Sequence, residues 1–390
     1  MKLFLFRCIL GLLLAIPALA IVEVALRRFF PGAFLAPRPG FMVEGPEYPS
    51  HLLPDFRGSE SNHLIYDPGA PLTDWTITIS PRGWREPAYP EARPTNTKRL
   101  LVLGDSVTFG MGVDDSCTLP AFLKRDLDLD SRATWQVFNR SVPGWHSWHQ
   151  ARHLRLHGAE MRPDIVTIHV VMNDFVPRTD AYWDGLVAGN RFPGRKGILD
   201  GFRTLNLVRQ FFAEPHRFLP RRGNELVASA KVEIPDADLG VFGRDKWWYL
   251  RYLDGDKAHM EARRLSDDIA FARYREIRDV AARIGARLLI VLHPTASQIG
   301  PRYWGRNLFK QRGPERRPLA ALVARFRAEG LEIVDLTTVF EAMDEPVFLD
   351  EAHHTALGNA VAAHAVTRKL FDLGWLELSA QPFAGLGSRC

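Results

Sequence analysis

Short apolar runs alternate along the chain with longer stretches whose apolar residues recur at helical spacing. Leu100 to Leu103 is a continuous apolar run that stops abruptly at Gly104-Asp105-Ser106. A run of that kind, bounded by a glycine, predicts a buried parallel strand feeding a tight turn. Ser116 is placed to cap a helix carrying Leu119, Phe122, Leu123 and Leu127. Trp135 to Phe138 predicts the next strand, ending at Asn139 and followed by the turn Val142-Pro143-Gly144. Ser147 is placed to cap a helix running to Leu156. Ile165 to Val171 is strongly β-branched and predicts a third strand, ending at Met172-Asn173-Asp174. Leu288 to Leu292 and Leu331 to Leu336 predict a fourth and a fifth. Helices over about 266–284 and 316–328 fall between strands, and Ile269, Ala272, Ile277, Val280 and Ile284 give the first a core stripe. Strands alternating with helices imply a parallel sheet covered on both faces.

Elsewhere the rhythm is lost. Lys2 and Arg7 precede a stretch from Cys8 to Leu26 that is apolar apart from Pro17 and Glu23, and Arg27-Arg28 close it. Its length approaches that of a bilayer span, and Phe29, Phe30 and Phe34 follow as an interfacial belt would. Residues 1–30 are therefore read as a signal anchor. A cleaved signal peptide is the alternative, with Ala18-Leu19-Ala20 as the small-residue site. Either way the remainder is expected outside the cytoplasm. Residues 31–97, rich in proline and glycine, read as a linker and a small β extension. Within them Asp74 to Ser80 alternates, with Trp75, Ile77 and Ile79 on one side, which predicts a half-buried strand. Residues 98–376 form the main domain, interrupted after its third strand by an insertion over about 178–262, and residues 377–390 are a tail.

Composition narrows the classes. A chain of 390 residues holds one large domain with insertions, or two domains. At 46% hydrophobic it is too polar for a polytopic membrane protein. The net charge of +5 is spread along the chain, and no Lys/Arg block is dense enough to argue for nucleic acid. The cysteines Cys8, Cys117 and Cys390 give no disulfide framework.

Ligands of open α/β sheets sit beyond the carboxyl ends of strands. Ser106 stands at such an end, as a candidate nucleophile. Acyl transfer also needs a base, a group orienting the base, and donors for the oxyanion. Asp350 and His353 lie three residues apart on a loop opening a helix that contains Leu357, Val361 and Leu370. His353 is the candidate base and Asp350 its orienting carboxylate. Spacing alone leaves His354 open as the base. Gly144 and Asn173, each after a strand, can offer a backbone N–H and a side-chain amide to an oxyanion, and Asp174 suits a turn cap. A separate group, His146, His149, His153 and His157, lies in one short stretch, the last three on one helix face. That face reads either as solvated or, with less support, as a zinc or copper site.

Taken together these blocks resemble the SGNH (GDSL-like) hydrolases. Gly104-Asp105-Ser106-Val107, Gly144, Asn173-Asp174 and Asp350-x-x-His353 stand in the family's order. One departure is Val171, where the third block usually carries glycine. The resemblance covers about residues 98–375, less the insertion. It implies a flavodoxin-like three-layer α/β/α fold with a parallel sheet. It also implies an acyl-serine mechanism with Ser106, His353 and Asp350, and an oxyanion hole from Ser106, Gly144 and Asn173. No metal or organic cofactor is called for. The function expected is an esterase acting on O-acyl groups of a glycan or small ester outside the cytoplasm. The alternatives are an O-acyltransferase modifying an exported polysaccharide and a non-catalytic glycan-binding or assembly protein.

Overall fold

The protein is described by a computed structural model over residues 19–22, 24, 41–43, 47–61, 74–90, 92–129, 133–175, 179–189, 257–299, 317–350 and 352–376. Contacts divide the chain into two units, residues 1–40 with 191–245, and residues 41–190 with 246–390. In the first unit only 19–22 and 24 are described, as exposed helix. Among the described residues no helix is long and apolar enough to cross a membrane. Most of the expected anchor, most of the expected insertion and the tail lie outside the described residues.

The second unit begins with two antiparallel pairs, β1 (Met42–Val43) with β2 (His51–Leu52) and β3 (Arg57–Ser61) with β4 (Asp74–Thr78). In β4 Trp75 and Ile77 are buried and their neighbours exposed, as the alternation demands. Then come five parallel strands: β5 (Thr97–Gly104), β6 (Thr134–Ser141), β7 (Ile165–Val170), β8 (Arg287–Leu292) and β9 (Glu332–Asp335). Their order across the sheet is β6-β5-β7-β8-β9. That is the flavodoxin-like doubly wound arrangement, in which the chain's winding reverses between β5 and β7.

The helices used below are α1 (Ser106–Phe109), α2 (Leu119–Leu127), α3 (Ser147–Met161), α4 (Asp180–Gly189), α5 (Lys257–Arg283), α6 (Ala296–Ile299), α7 (Arg317–Ala328), α8 (Thr337–Glu341) and α9 (Ala356–Asp372). Successive side chains of a strand point to opposite faces. Leu100, Val102, Leu289 and Val291 therefore pack with Leu123 of α2 and Val366 of α9 on one face. Leu101, Leu103, Val166 and Ile168 pack with Leu154 of α3, Phe271 of α5 and Phe326 of α7 on the other. A third cluster joins Phe41, Trp75, Ile77 and Trp84 of the extension to Phe109, Val142 and Trp145 of the main domain.

Several boundaries differ from the sequence expectation. Residues 115–117 form a 3-10 turn, so the cap of α2 is Thr118, which accepts from the Ala121 N–H, and not Ser116. His146, not Ser147, caps α3, its imidazole accepting from the Trp148 N–H. Strand β6 runs past Asn139 because Leu103 and Gly104 pair with Arg140 and Ser141. Of the histidines in the stretch 146–157 only His157 is partly exposed. His149 and His153 are buried, with His149 stacked on Trp145 and His153 Nδ1 3.0 Å from Tyr48 Oη. His157 reaches Glu47 at 2.8 Å. Among the described residues no group of three His, Cys, Asp or Glu side chains is placed to hold a metal. Cys117 is disulfide-bonded, and both other cysteines lie outside the described residues.

Candidate active site

The apolar run of β5 ends at Gly104, and the chain turns at once into the one-turn helix α1. A Cβ on Gly104 would stand 2.2 Å from Thr108 Oγ1 and 2.6 Å from its Cβ, so only glycine permits this turn. Asp105 caps α1, its carboxylate accepting from the Val107 N–H at 2.9 Å. Ser106 thus begins α1 at the carboxyl edge of the first strand of the sheet.

The other half of the site comes from near the end of the described chain. Residues 347–355 fold back on themselves: the Leu349 N–H donates to the His353 carbonyl at 2.7 Å and the Thr355 N–H to that of Val347 at 3.0 Å. Thr355 then caps α9 through the Gly358 N–H. Inside this turn Asp350 Oδ1 accepts from the N–H groups of Ala352 and His353, at 2.8 and 2.7 Å. Asp350 Oδ2 lies 2.7 Å from His353 Nδ1, and His353 Nε2 lies 2.9 Å from Ser106 Oγ. With the Nδ1 proton donated to the carboxylate, Nε2 carries the lone pair and receives the serine O–H. Three side chains are joined in one hydrogen-bonded line.

The charges follow from this line. Burial disfavours a charged imidazole, yet the facing Asp350 outweighs it and raises the His353 pKa above its ordinary value. Burial likewise opposes ionisation of Asp350, and His353 with the two N–H donors overcomes it, lowering that carboxyl. Adjacent His354 has no such partner. It is pushed well below the ordinary histidine range by burial and by His293 and His353. Its ring stacks on His293 at 5.1 Å, and His293 Nε2 lies 2.9 Å from His169 Nδ1. Spacing left either histidine open as the partner of Ser106, and the geometry gives that place to His353.

Asn173 sits in the 3-10 turn Met172–Phe175 after β7, beside the point where the winding reverses. One N–H of its amide goes to Asp105 Oδ2 at 2.7 Å, leaving the other for a ligand. Asp174 is wholly buried and caps the turn, accepting from the Val171 N–H at 2.8 Å and from Gln150 Nε2 at 3.2 Å. Val171, the departure from the family's glycine, is buried here with its N–H satisfied in this way. Gly144 follows β6 at the same edge with φ +82°, closed by a bond from the Trp145 N–H to the Val142 carbonyl.

One functional side chain escaped the sequence reading. Asp105 bridges the Ser106 turn and the Asn173 amide, and burial raises its pKa, tempered by the Val107 N–H, by His353 and by the Asn173 amide. Its position directly before a helix start was the available signal.

A family model described as GDSL-like Lipase/Acylhydrolase matches residues 102–361. Among solved structures, a GDSL-like lipase from Bacteroides thetaiotaomicron VPI-5482 is 12% identical, over 72% of this chain and 89% of its own, with a TM-score of 0.34. TesA is 17% identical, over 71% of this chain and 99% of its own, with a TM-score of 0.36. An acetyl-xylooligosaccharide esterase from Geobacillus Stearmophilus is 13% identical, over 70% and 94%, with a TM-score of 0.38. No curated protein matches the chain.

Proposed function

The chain belongs to the GDSL-like lipase/acylhydrolase family, whose general reaction is ester hydrolysis, and from that premise we propose an acyl-serine mechanism run by Ser106, His353 and Asp350. The supporting observation is the line Asp350–His353–Ser106, with links of 2.7 and 2.9 Å. Ser106 Oγ attacks the ester carbonyl and its proton passes to His353 Nε2. Asp350, held in place by two backbone N–H groups, keeps the imidazole in the receptive tautomer and stabilises the imidazolium. The oxyanion is met by the N–H groups of Ser106 and Gly144 and by the second N–H of the Asn173 amide, which Asp105 orients. His353 returns its proton to the leaving alkoxide. Water, deprotonated by the same imidazole, then releases the acyl group.

The substrate of this reading is an O-acyl ester on a glycan or a small molecule outside the cytoplasm. Export rests on the charged start and apolar run from Cys8 to Leu26, taken as a membrane anchor. The test is Ser106→Ala. Hydrolysis of p-nitrophenyl acetate falls by on the order of 10⁵-fold, with the melting temperature unchanged. Hydrolysis that survives the substitution moves the nucleophile elsewhere. Supplying acyl donors with and without polysaccharide then reports whether the acyl group goes to water or to sugar.

A further inference from the structure

Arg85 lies in the turn after β4, well before the sheet begins, and its side chain is only 2% exposed. A guanidinium carries five N–H donors in one plane. All five have acceptors here. Nε donates to Asp115 Oδ1 at 2.8 Å. Nη1 donates to the carbonyls of Phe109 and Gly110, at 3.1 and 2.7 Å. Nη2 donates to those of Thr76 and Val113, both at 2.8 Å. The guanidinium carbon also lies 4.9 Å from the ring centre of Phe109 and 5.2 Å from that of Trp75.

Three of those four carbonyls belong to the segment leaving α1. A helix end leaves carbonyls without intrahelical partners, and a cation there is favourable. Because α1 is one turn long, that end is one turn from Ser106. Gly110 takes a left-handed conformation, and the N–H groups of Gly110 and Met111 return to the Ser106 carbonyl at 3.2 and 3.0 Å. The Ser106 backbone is therefore one link from the guanidinium. The same segment is tied to β4 from its own side. Asp114 accepts from the N–H and hydroxyl of Thr76, and Asp115 from the Thr78 N–H.

We propose that Arg85 is a positioning residue for Ser106. It gathers the carbonyls that follow α1 and so holds the serine hydroxyl within reach of His353. The extension around β3 and β4 is then part of the hydrolase, with no contact to substrate required of it. Lysine cannot replace this arginine, because one ammonium cannot reach acceptors spread over β4 and the α1 exit. The inference rests on the serine-hydrolase reading above.

The test uses the full chain and two readouts, the rate at which a fluorophosphonate labels Ser106 and the kinetics on p-nitrophenyl acetate. Arg85→Ala is expected to slow labelling and kcat by on the order of 100-fold per folded molecule, as a displaced reacting atom does, with KM little changed. Millimolar guanidinium restores about tenfold of that loss and equimolar sodium chloride does not, since only the planar cation refills the site. Arg85→Lys is slowed as well, and it decides the matter should the alanine variant fail to fold. Folded Arg85→Ala or Arg85→Lys that labels at the wild-type rate overturns the proposal, and so does folded Arg85→Ala that guanidinium leaves unchanged. Wild-type protein that does not react at all instead overturns the hydrolase reading beneath it.

Discussion

His353 and His354 are neighbours in the chain, the first mostly and the second wholly buried, and they belong to two different regions. His353 faces the rim, between a carboxylate and a hydroxyl. His354 faces inward, onto a layer that runs through His293 and His169 to Thr167. The rim raises its imidazole's pKa, whereas the layer lowers all of its own, His169 to about 3. Burial is common to both regions, so burial does not decide the role. What differs is the facing carboxylate. An imidazole opposite Asp350 is ready to take and return a proton, whereas one stacked on other imidazoles stays neutral.

The sharpest way to break this contrast is to remove each ring. His353→Ala should cost on the order of 10⁵-fold in kcat on p-nitrophenyl acetate. His354→Ala should leave kcat per folded molecule within about tenfold and lower the melting temperature, as a cavity behind the rim would. The reverse result exchanges the two roles. A smaller loss is expected from Asn173→Ala, about 100-fold in kcat, because it removes one of the proposed oxyanion donors and leaves the hydrogen-bonded line intact. A change in KM alone would place that amide outside the reaction.

The pH profile sharpens the comparison further. In the proposed mechanism His353 must be neutral to accept the serine proton, and its pKa is raised. Activity therefore falls as pH drops through a value above 6.5, the ordinary histidine pKa. In Asp350→Asn the larger counter-charge is gone while burial and the weaker pull of Asp105 remain, so the same limb should shift to lower pH. A limb that stays in place would show that Asp350 does not govern His353.

The mildest effect is on stability. His149, His153, His169, His293 and His354 all have lowered pKa values from burial. Below about pH 6.5 the unfolded chain protonates these rings and the folded chain does not, so stability falls with falling pH. His353 acts in the opposite sense: its contribution is present at low pH and is lost as pH rises through its raised value. Glu86, raised to about 7, and Asp105 and Asp174, raised by burial, act in the same sense as His353, so five rings stand against four groups and leave a small net acid lability. We expect a melting temperature lower by about 5 °C at mildly acidic pH than at neutrality, by calorimetry. A flat profile would mean that the buried layer takes up protons without unfolding.

The sheet and the rim were legible in the sequence for a local reason. β5 and β7 are nearly uninterrupted apolar runs, and each site residue sits where such a run or a helix begins or ends. Gly104 with Ser106, and Asp350 with His353, carry their meaning within a few positions of each other. The inward layer was not legible, because Thr167, His169, His293 and His354 meet only when β7, β8 and the last turn converge. The α3 histidines misled for a related reason. Their spacing defined a face correctly, but nothing local said that Tyr48, Trp84 and Trp145 would cover it. Asp105 read as part of a turn, and its reach to Asn173 spans two strands of the sheet.

The bond from Ser106 to His353 joins residues separated by 247 positions. Closing so long a loop comes late, and a chain emerging from the ribosome folds its early part first. Until α9 docks, the serine is an ordinary alcohol with no base beside it. On the proposed mechanism a nascent chain is therefore harmless to the esters around it, and reactivity arrives only once the residues about His353 have folded.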